Sequence, residues 1–231
     1  MGQNNSAFEK IENNMSNDFI CSAFNGDNEA LNTYMISGVP INTTGFLNSE
    51  RIYCHQEQYS ALISAIKGGH VSTALLLLNK DGIHVNYKTK ISGINGLMLA
   101  CGESTLNDPD LEDLLSLFID KGINIDEKDI ENGWSSLSYA ASSNNSVAAE
   151  FLIKHGANIN TIDNFNQSAL HIACYKDNLD VVKILIESGM NTDILDREGN
   201  TAFDISESDE IKDYLLIKEN NTQLPGEIAI P

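Results

Sequence analysis

His171 and Cys174 lie three residues apart, close enough on a helix to place an imidazole beside a thiol. Such a pair could serve as base and nucleophile. A nucleophilic cysteine needs an accessible thiolate, however, and a packed helix keeps the thiol buried and inert. Cys54, His55 and Glu57 form a second group of titrating side chains, but adjacency along the chain does not make them converge on a site. His155 precedes Gly156 at an expected helix end, where an imidazole caps carbonyls rather than ligating a metal. No His or Cys pairs stand at zinc spacings, there is no HExxH, and no phosphate-cradling glycine loop or Walker-type lysine occurs. The residues predict no enzyme, no metal and no cofactor.

The elements that would position these side chains follow from a repetition. Gly133, Asn166 and Gly199 each open a related phrase, GWSSLSYAA, NQSALHIAC and GNTAFDIS, at steps of thirty-three residues. A period between about twenty and fifty residues marks a solenoid. Leu170, Ala173 and Cys174, then Val181, Val182, Leu185 and Ile186, fall at helical spacing in two runs split by Lys176, Asp177 and Asn178. Two helices of about ten residues do not persist alone in water. They must stack on neighbouring pairs, with small residues such as Ala100, Ala140, Ala141 and Ala173 allowing close approach. Gly38, Gly122, Gly156 and Gly189 stand where each second helix must end in a left-handed residue.

These phrases resemble the ankyrin-repeat family. Ser168, Ala169, Leu170, His171, Ile172 and Ala173 stand at the family's TPLHxA box, and Lys154 through Asn160 match its helix end and hairpin entry. Weaker copies open at Ser60-Ala61-Leu62 and Asn95-Gly96-Leu97, and Ala23, Gly26, Gly38, Ile41 and Asn42 outline a first one. The resemblance implies an all-α ankyrin-repeat solenoid, about six helix-turn-helix units with hairpin-like loops and truncated terminal units. The units fall at about 18–42, 56–86, 90–126, 130–160, 163–193 and 196–219, between a flexible N-terminal extension, 1–17, and a flexible C-terminal tail, 220–231. It also implies a structural role for His171, joining loops by hydrogen bonds.

Composition sets further expectations. Thirty-three acids against fourteen bases give a net charge of −19, with clusters at Asp108 to Asp113, Asp120 to Glu131 and Glu207 to Asp213. A field of that sign repels phosphate backbones and anionic membranes, so nucleic acid is not an expected partner and a basic protein is. Cys101 and Cys174 sit two repeats apart, roughly 20 Å if helix layers are spaced about 10 Å, too far to bridge. Cys21 reads as core and Cys54 as a loop residue, and all four thiols are expected reduced. There is no spanning-length apolar run and no secretion signal, so a cytoplasmic monomer is expected. Met1-Gly2-Gln3-Asn4-Asn5-Ser6 fits the N-myristoylation pattern, but Glu9 and Glu12 follow and no polybasic patch supplies the second signal that anchoring needs.

Departures from the repeat mark candidate sites. Asn42 to Ser60 spans eighteen steps where regular units have eight, which enlarges the loop Thr43 to Gln58, with Tyr53 in it and Tyr59 directly after it. A six-residue insertion, acidic and carrying Pro109, lengthens the stretch between Ala100 and Gly122, within Glu103 to Asp113. Long loops in compact repeats are often functional, and also cheaply tolerated. In the family, partners are gripped by hairpin tips and the exposed face of the first helix. Carried over, the tips comprise Glu131, Asn132, Trp134, Asn164, Phe165, Gln167, Arg197, Glu198 and Asn200, with Ser142, Ser143, Tyr175 and Lys176 on the helices. Trp134 and Phe165 read either as interface anchors or as local packing. The function expected is non-enzymatic protein binding on that concave face. Its sharpest form is an acidic stoichiometric inhibitor, immunity- or antitoxin-like, of a basic enzyme. The alternative is an adaptor or secreted effector that docks a cellular protein, with or without a lipid at Gly2.

Overall fold

The computed structural model describes residues 3–47, 57–102 and 110–222. Among them twelve helices pair off in chain order: α1 (Gln3–Phe24) with α2 (Asn28–Ile36), α3 (Ala61–Lys67) with α4 (Val71–Leu78), and α5 (Gly96–Gly102) with α6 (Leu111–Asp120). α7 (Ser136–Ser142) follows with α8 (Ser146–Lys154), α9 (Ala169–Tyr175) with α10 (Leu179–Glu187), and α11 (Ala202–Ile205) with α12 (Asp209–Thr222). The first helices of successive pairs pack in one layer, α1 through α3, α5, α7 and α9 to α11, and the second helices from α4 to α12 pack in another. The chain is thus a helical solenoid, as the period predicts.

Local chemistry explains why each unit starts where it does. Ser60, Asn95, Ser135, Ser168 and Thr201 occupy one register, and each side-chain oxygen accepts the backbone N–H three residues on. A cap of this kind is worth about 1 kcal/mol against alanine. Two residues after the caps, Leu62, Leu97, Leu137 and Leu170 are buried between layers. Five residues after them, Ala65, Ala100, Ala140, Ala173 and Ser206 are buried too, and their small size lets adjacent helices touch. Gly156 shows how a unit ends: its φ of 88° turns the chain out of α8 in the left-handed region that glycine adopts without steric cost.

The structure departs from expectation at the N-terminal end. The segment 1–17, expected as an extension, is helical from Gln3 onward as part of α1, and Asn17 is buried. Asn17 Oδ1 accepts the N–H of Phe46 at 3.0 Å, and a Cβ on Gly45 would lie 2.7 Å from the same oxygen. That contact seats a short hairpin, β1 (Thr44–Gly45) antiparallel to β2 (Tyr59–Ser60), against α1. The flanks of the enlarged loop are therefore packed, with Leu47 buried. Its centre, with Tyr53 and Cys54, lies outside the described residues, as do 103–109 of the second insertion and 223–231 of the tail. α12 continues to Thr222, past the expected boundary at 219, and α11 is shortened to four residues.

Candidate functional site

Three successive hairpins are built around a buried aspartate. Asp129 Oδ1 accepts the N–H groups of Asn132 and Gly133 at 2.7 and 2.8 Å, and its Oδ2 accepts the Tyr139 hydroxyl at 2.8 Å. Asp163 Oδ1 accepts from Phe165 and Gln167 at 2.7 and 2.8 Å, and Asp196 Oδ1 from Glu198 and Asn200 at 2.9 Å each. A carboxylate accepting several N–H bonds is held in its charged form. Accordingly the Asn200 N–H, with help from Glu198, lowers the Asp196 carboxyl below the usual range. Burial, reinforced by Asp129, pushes the Tyr139 phenol up and keeps it a donor. Asp129 was expected, within its acidic cluster, to contribute to a field that steers a partner. Asp129 instead faces inward, spent on its own turn.

Main-chain bonds join the hairpins into a ribbon. Ile130 N–H donates to the Ser92 carbonyl at 2.8 Å, Asn164 to Asn132 at 2.8 Å, and Arg197 to Phe165 at 3.0 Å. The N-terminal edge of the ribbon is held by the end of the enlarged loop, where Glu57 Oε1 accepts the N–H groups of Ile91 and Ser92 at 2.7 and 3.2 Å. Gln58 accepts the Tyr87 hydroxyl through its carbonyl. Glu57, read as part of a titrating group, is thus engaged in capping the next hairpin.

A second ladder runs beside the ribbon. The residue two after each helix-ending glycine donates its N–H to a side chain of the preceding unit: His84 to Asn42 at 2.8 Å, Asn124 to Asn86 at 3.3 Å, Asn158 to Asp126 at 2.9 Å and Asn191 to Asn160 at 3.0 Å. Asn42 also donates to the Gly82 carbonyl at 2.7 Å.

The residues singled out as partner-binding divide accordingly. Glu131, Asn164, Phe165, Arg197 and Glu198 are exposed at the tips, Asn132 and Gln167 are half-buried, and Tyr175 and Lys176 stand out from the end of α9, Tyr175 at 72 % exposure. Arg197 lies over the Phe165 ring at 5.5 Å. Trp134 is half-buried, edge-on to Tyr139 at 5.5 Å between centroids, and donates to Asp163. The packing alternative describes it better than the anchor. Tyr59 was expected on an exposed loop and is instead 8 % exposed, because the β1–β2 pairing turns it onto the core with Lys67 over its ring. Tyr53 lies outside the described residues. Sequence reasoning missed Ile130, which is 59 % exposed, and with it Ile91 and Leu195. The register contained the signal: Ile130 follows Asp129 as Asn164 follows Asp163 and Arg197 follows Asp196.

Among the described residues the candidate chemistry serves structure, and Cys54 and His55 lie outside them. His171 Nδ1 accepts from the Ser168 hydroxyl at 2.8 Å in a capping box, and Nε2 donates to the Asn200 carbonyl at 3.2 Å, joining α9 to the next hairpin. Burial lowers its pKa, outweighing the Asn200 bond and the Asp196 and Asp163 charges. Cys174 is buried with its thiol pushed up to about 12, and burial drives Cys101 up as well. Cys21, read as core, is half-buried, and these three are free thiols. His155 donates from Nδ1 to the Phe151 carbonyl at 2.8 Å and stacks on that ring at 3.9 Å, the capping role expected. Among the described residues no cluster of His, Cys, Asp or Glu is arranged to hold a metal, and no helix is long and apolar enough to cross a membrane.

Comparison with known proteins places this geometry. The family model of ankyrin repeats (3 copies) matches residues 85–163, and that of ankyrin repeats (many copies) matches residues 152–206. An ankyrin repeat protein of fowlpox virus is 28 % identical over 158 residues, 66 % of this chain and 44 % of that protein. The mouse B-cell lymphoma 3 protein homolog is 30 % identical over 104 residues, 45 % of this chain and 23 % of its own. A Caenorhabditis elegans ankyrin repeat and LEM domain-containing protein 1 homolog is 36 % identical over 85 residues, 36 % of this chain and 12 % of its own. The chain spans less than half the length of each of these relatives. Two repeat models that together run from 85 to 206, on helix pairs joined by aspartate-centred hairpins, show that this chain belongs to the ankyrin-repeat family, whose repeats form protein-binding modules.

Proposed function

We propose that the chain is a non-enzymatic binding protein that grips another protein on its hairpin ribbon and the adjoining ends of the first-layer helices. The observation that carries this reading is the row of apolar side chains on the ribbon, Ile91, Ile130 and Phe165, exposed on a frame whose polar groups already bond to one another. Exposed apolar patches of this kind mark interaction sites, and aromatic anchors concentrate the binding energy. The finer proposal is a stoichiometric inhibitor that masks a basic enzyme in the cytoplasm. The net charge of −19 supports it, because a field of that size raises the association rate with a basic partner. A second reading, an adaptor or effector docking a cellular protein, draws on the apolar character of the same row.

Affinity capture on the purified chain, eluted in rising salt, tests both. The inhibitor reading expects one basic protein that leaves at moderate salt, is enzymatically silenced by the chain, and is held at least about tenfold more weakly by Ile130→Ala with Phe165→Ala. A neutral partner that survives high salt but is lost to the double variant supports the adaptor. Retention indifferent to the double variant removes the ribbon as the site, and catalytic turnover by the purified chain alone ends the non-enzymatic reading.

A further inference from the structure

The two ladders that join the units have the same polarity, and both are closed at one end and open at the other. In each rung the later unit gives a main-chain N–H and the earlier unit the acceptor, and at Asn42 and Asn86 the side-chain amide also donates forward to the next unit's glycine carbonyl. At the N-terminal end the loop ladder stops at Pro40, which stands two residues after Gly38 and has no N–H. The ribbon stops there too, with Glu57 on the N–H groups of Ile91 and Ser92. At the C-terminal end, Asp193 stands in the register of Asn42, Asn86, Asp126 and Asn160, and among the described residues no donor reaches its carboxylate. The Glu198 carbonyl stands in the register of Ser92, Asn132 and Phe165, and it likewise accepts from no described residue. Leu195, between these two acceptors in sequence, is 53 % exposed.

The helical layers end differently. Glu207 stands six residues after Thr201, where Cys174 stands after Ser168. In α12 the buried pair Ile211 and Leu215 matches Val181 and Leu185 of α10, which puts Lys212 where Val182 is buried. A further helix pair would have to cover two charges. The hairpin edge is left able to receive something, and what it lacks among the described residues is backbone N–H groups.

We propose that this edge takes an extended, basic segment of another protein, added as a strand along Leu195–Glu198. Its N–H groups would bond to the Glu198 carbonyl and the Asp193 carboxylate, and an apolar side chain would cover Leu195. An extended segment offers N–H groups along its edge, whereas a helix has used all but those of its first turn. The basic character follows from Asp193 and Glu198 on the edge, since Arg197 is laid back over the Phe165 ring. A second copy of this chain is a poor occupant. It would bring another charge of −19 against the same acids, and its N-terminal end presents Pro40 instead of a donor.

The test uses the full chain and two synthetic probes, an alternating lysine–valine hexapeptide and its twin with methylated backbone nitrogens, which keeps the charge and removes the donors. Amide chemical shifts in the wild type should move at Leu195, Arg197 and Glu198 on adding the first probe and stay still with the second. Asp193→Ala and Leu195→Lys should each weaken binding about tenfold or more, while Ile91→Ala with Ile130→Ala leaves it unchanged, which separates this edge from the ribbon proposed above. Equal binding of the methylated twin, indifference to both edge variants, or no binding overturns the proposal. So does an edge found already occupied, by residues 223–231 in a deletion comparison or by a second copy in sedimentation.

Discussion

The indole N–H of Trp134 donates to Asp163 Oδ2 at 3.1 Å, so the chain's one tryptophan holds the central carboxylate of the following hairpin. The other oxygen of that carboxylate orders the turn at Phe165 and Gln167. Asp163→Ala leaves three donors without their acceptor in a buried site, and should cost about 2–3 kcal/mol. Urea unfolding followed by tryptophan emission measures it, with the native emission shifting to the red as the indole loses its partner. A loss under about 0.5 kcal/mol would mean that water replaces the carboxylate, and that the hairpins do not depend on it.

His171 makes stability depend on pH in a defined sense. Burial lowers its native pKa, so the unfolded chain binds the proton more readily. The stabilisation is fully present above the ordinary histidine value of about 6.5 and is lost as pH falls through the lower native value. Asp196, Asp204 and Glu127, all lowered, lose their contributions only further into acid. Urea midpoints of the wild type and His171→Gln, compared between pH 7.5 and 5.5, should show the wild type losing more over that interval. Parallel losses would place the titration elsewhere.

Asn166 holds a φ of 59° at the turn position where Gly93, Gly133 and Gly199 stand. The left-handed region costs a non-glycine residue roughly 1–2 kcal/mol, and glycine's freedom in the unfolded chain returns about half of that. Asn166→Gly should therefore stabilise by about 0.5 kcal/mol and raise the melting temperature, as calorimetry would report. A lower melting temperature would show that the asparagine side chain contributes more than its backbone costs.

Asn42 both accepts from His84 N–H and donates to the Gly82 carbonyl. Asn42→Ala should loosen the first helix pair from the second by about 1 kcal/mol, because exposed hydrogen bonds are individually modest. Hydrogen exchange should then quicken in α2 while α9 and α10 keep their protection. Uniform quickening would mean that the array opens as one unit.

Buried Cys101 and Cys174 should resist a thiol reagent in the native protein, whereas half-buried Cys21 should react sooner. Mass mapping after timed labelling gives the order. Labelling of Cys174 at the rate of Cys21 would mean that α9 opens readily.

The solenoid was legible in the sequence because its repeating features are local: Ser168, Leu170, Ala173 and Gly189 each state a backbone or packing need that recurs at a fixed step. His171 was legible for the same reason, as its partners Ser168 and Asn200 recur in the repeat frame. Tyr59 was misplaced because its burial depends on pairing with Gly45, a contact set by an insertion that no repeat register describes. The N-terminal segment was misread because low apolar content suggested a loose end, and its helix is tied in by Asn17 and the buried Phe19 and Ile20. Asp129 was counted within an acidic surface cluster, since composition does not reveal that a carboxylate serves its own turn.

The loop ladder has a consequence for how such a chain can vary. At every rung of this ladder the following unit contributes only main chain, an N–H two residues after its glycine and at Gly82 and Gly122 the glycine carbonyl as well, while the leading unit contributes an asparagine or aspartate side chain. The bond therefore places no demand on the side chain of the follower. His84, Asn124, Asn158 and Asn191 share the role because none of them uses its own side chain for it. Units joined in this way are interchangeable in order so far as this bond is concerned, and one could be duplicated, deleted or recombined without redesigning the neighbour it leans on.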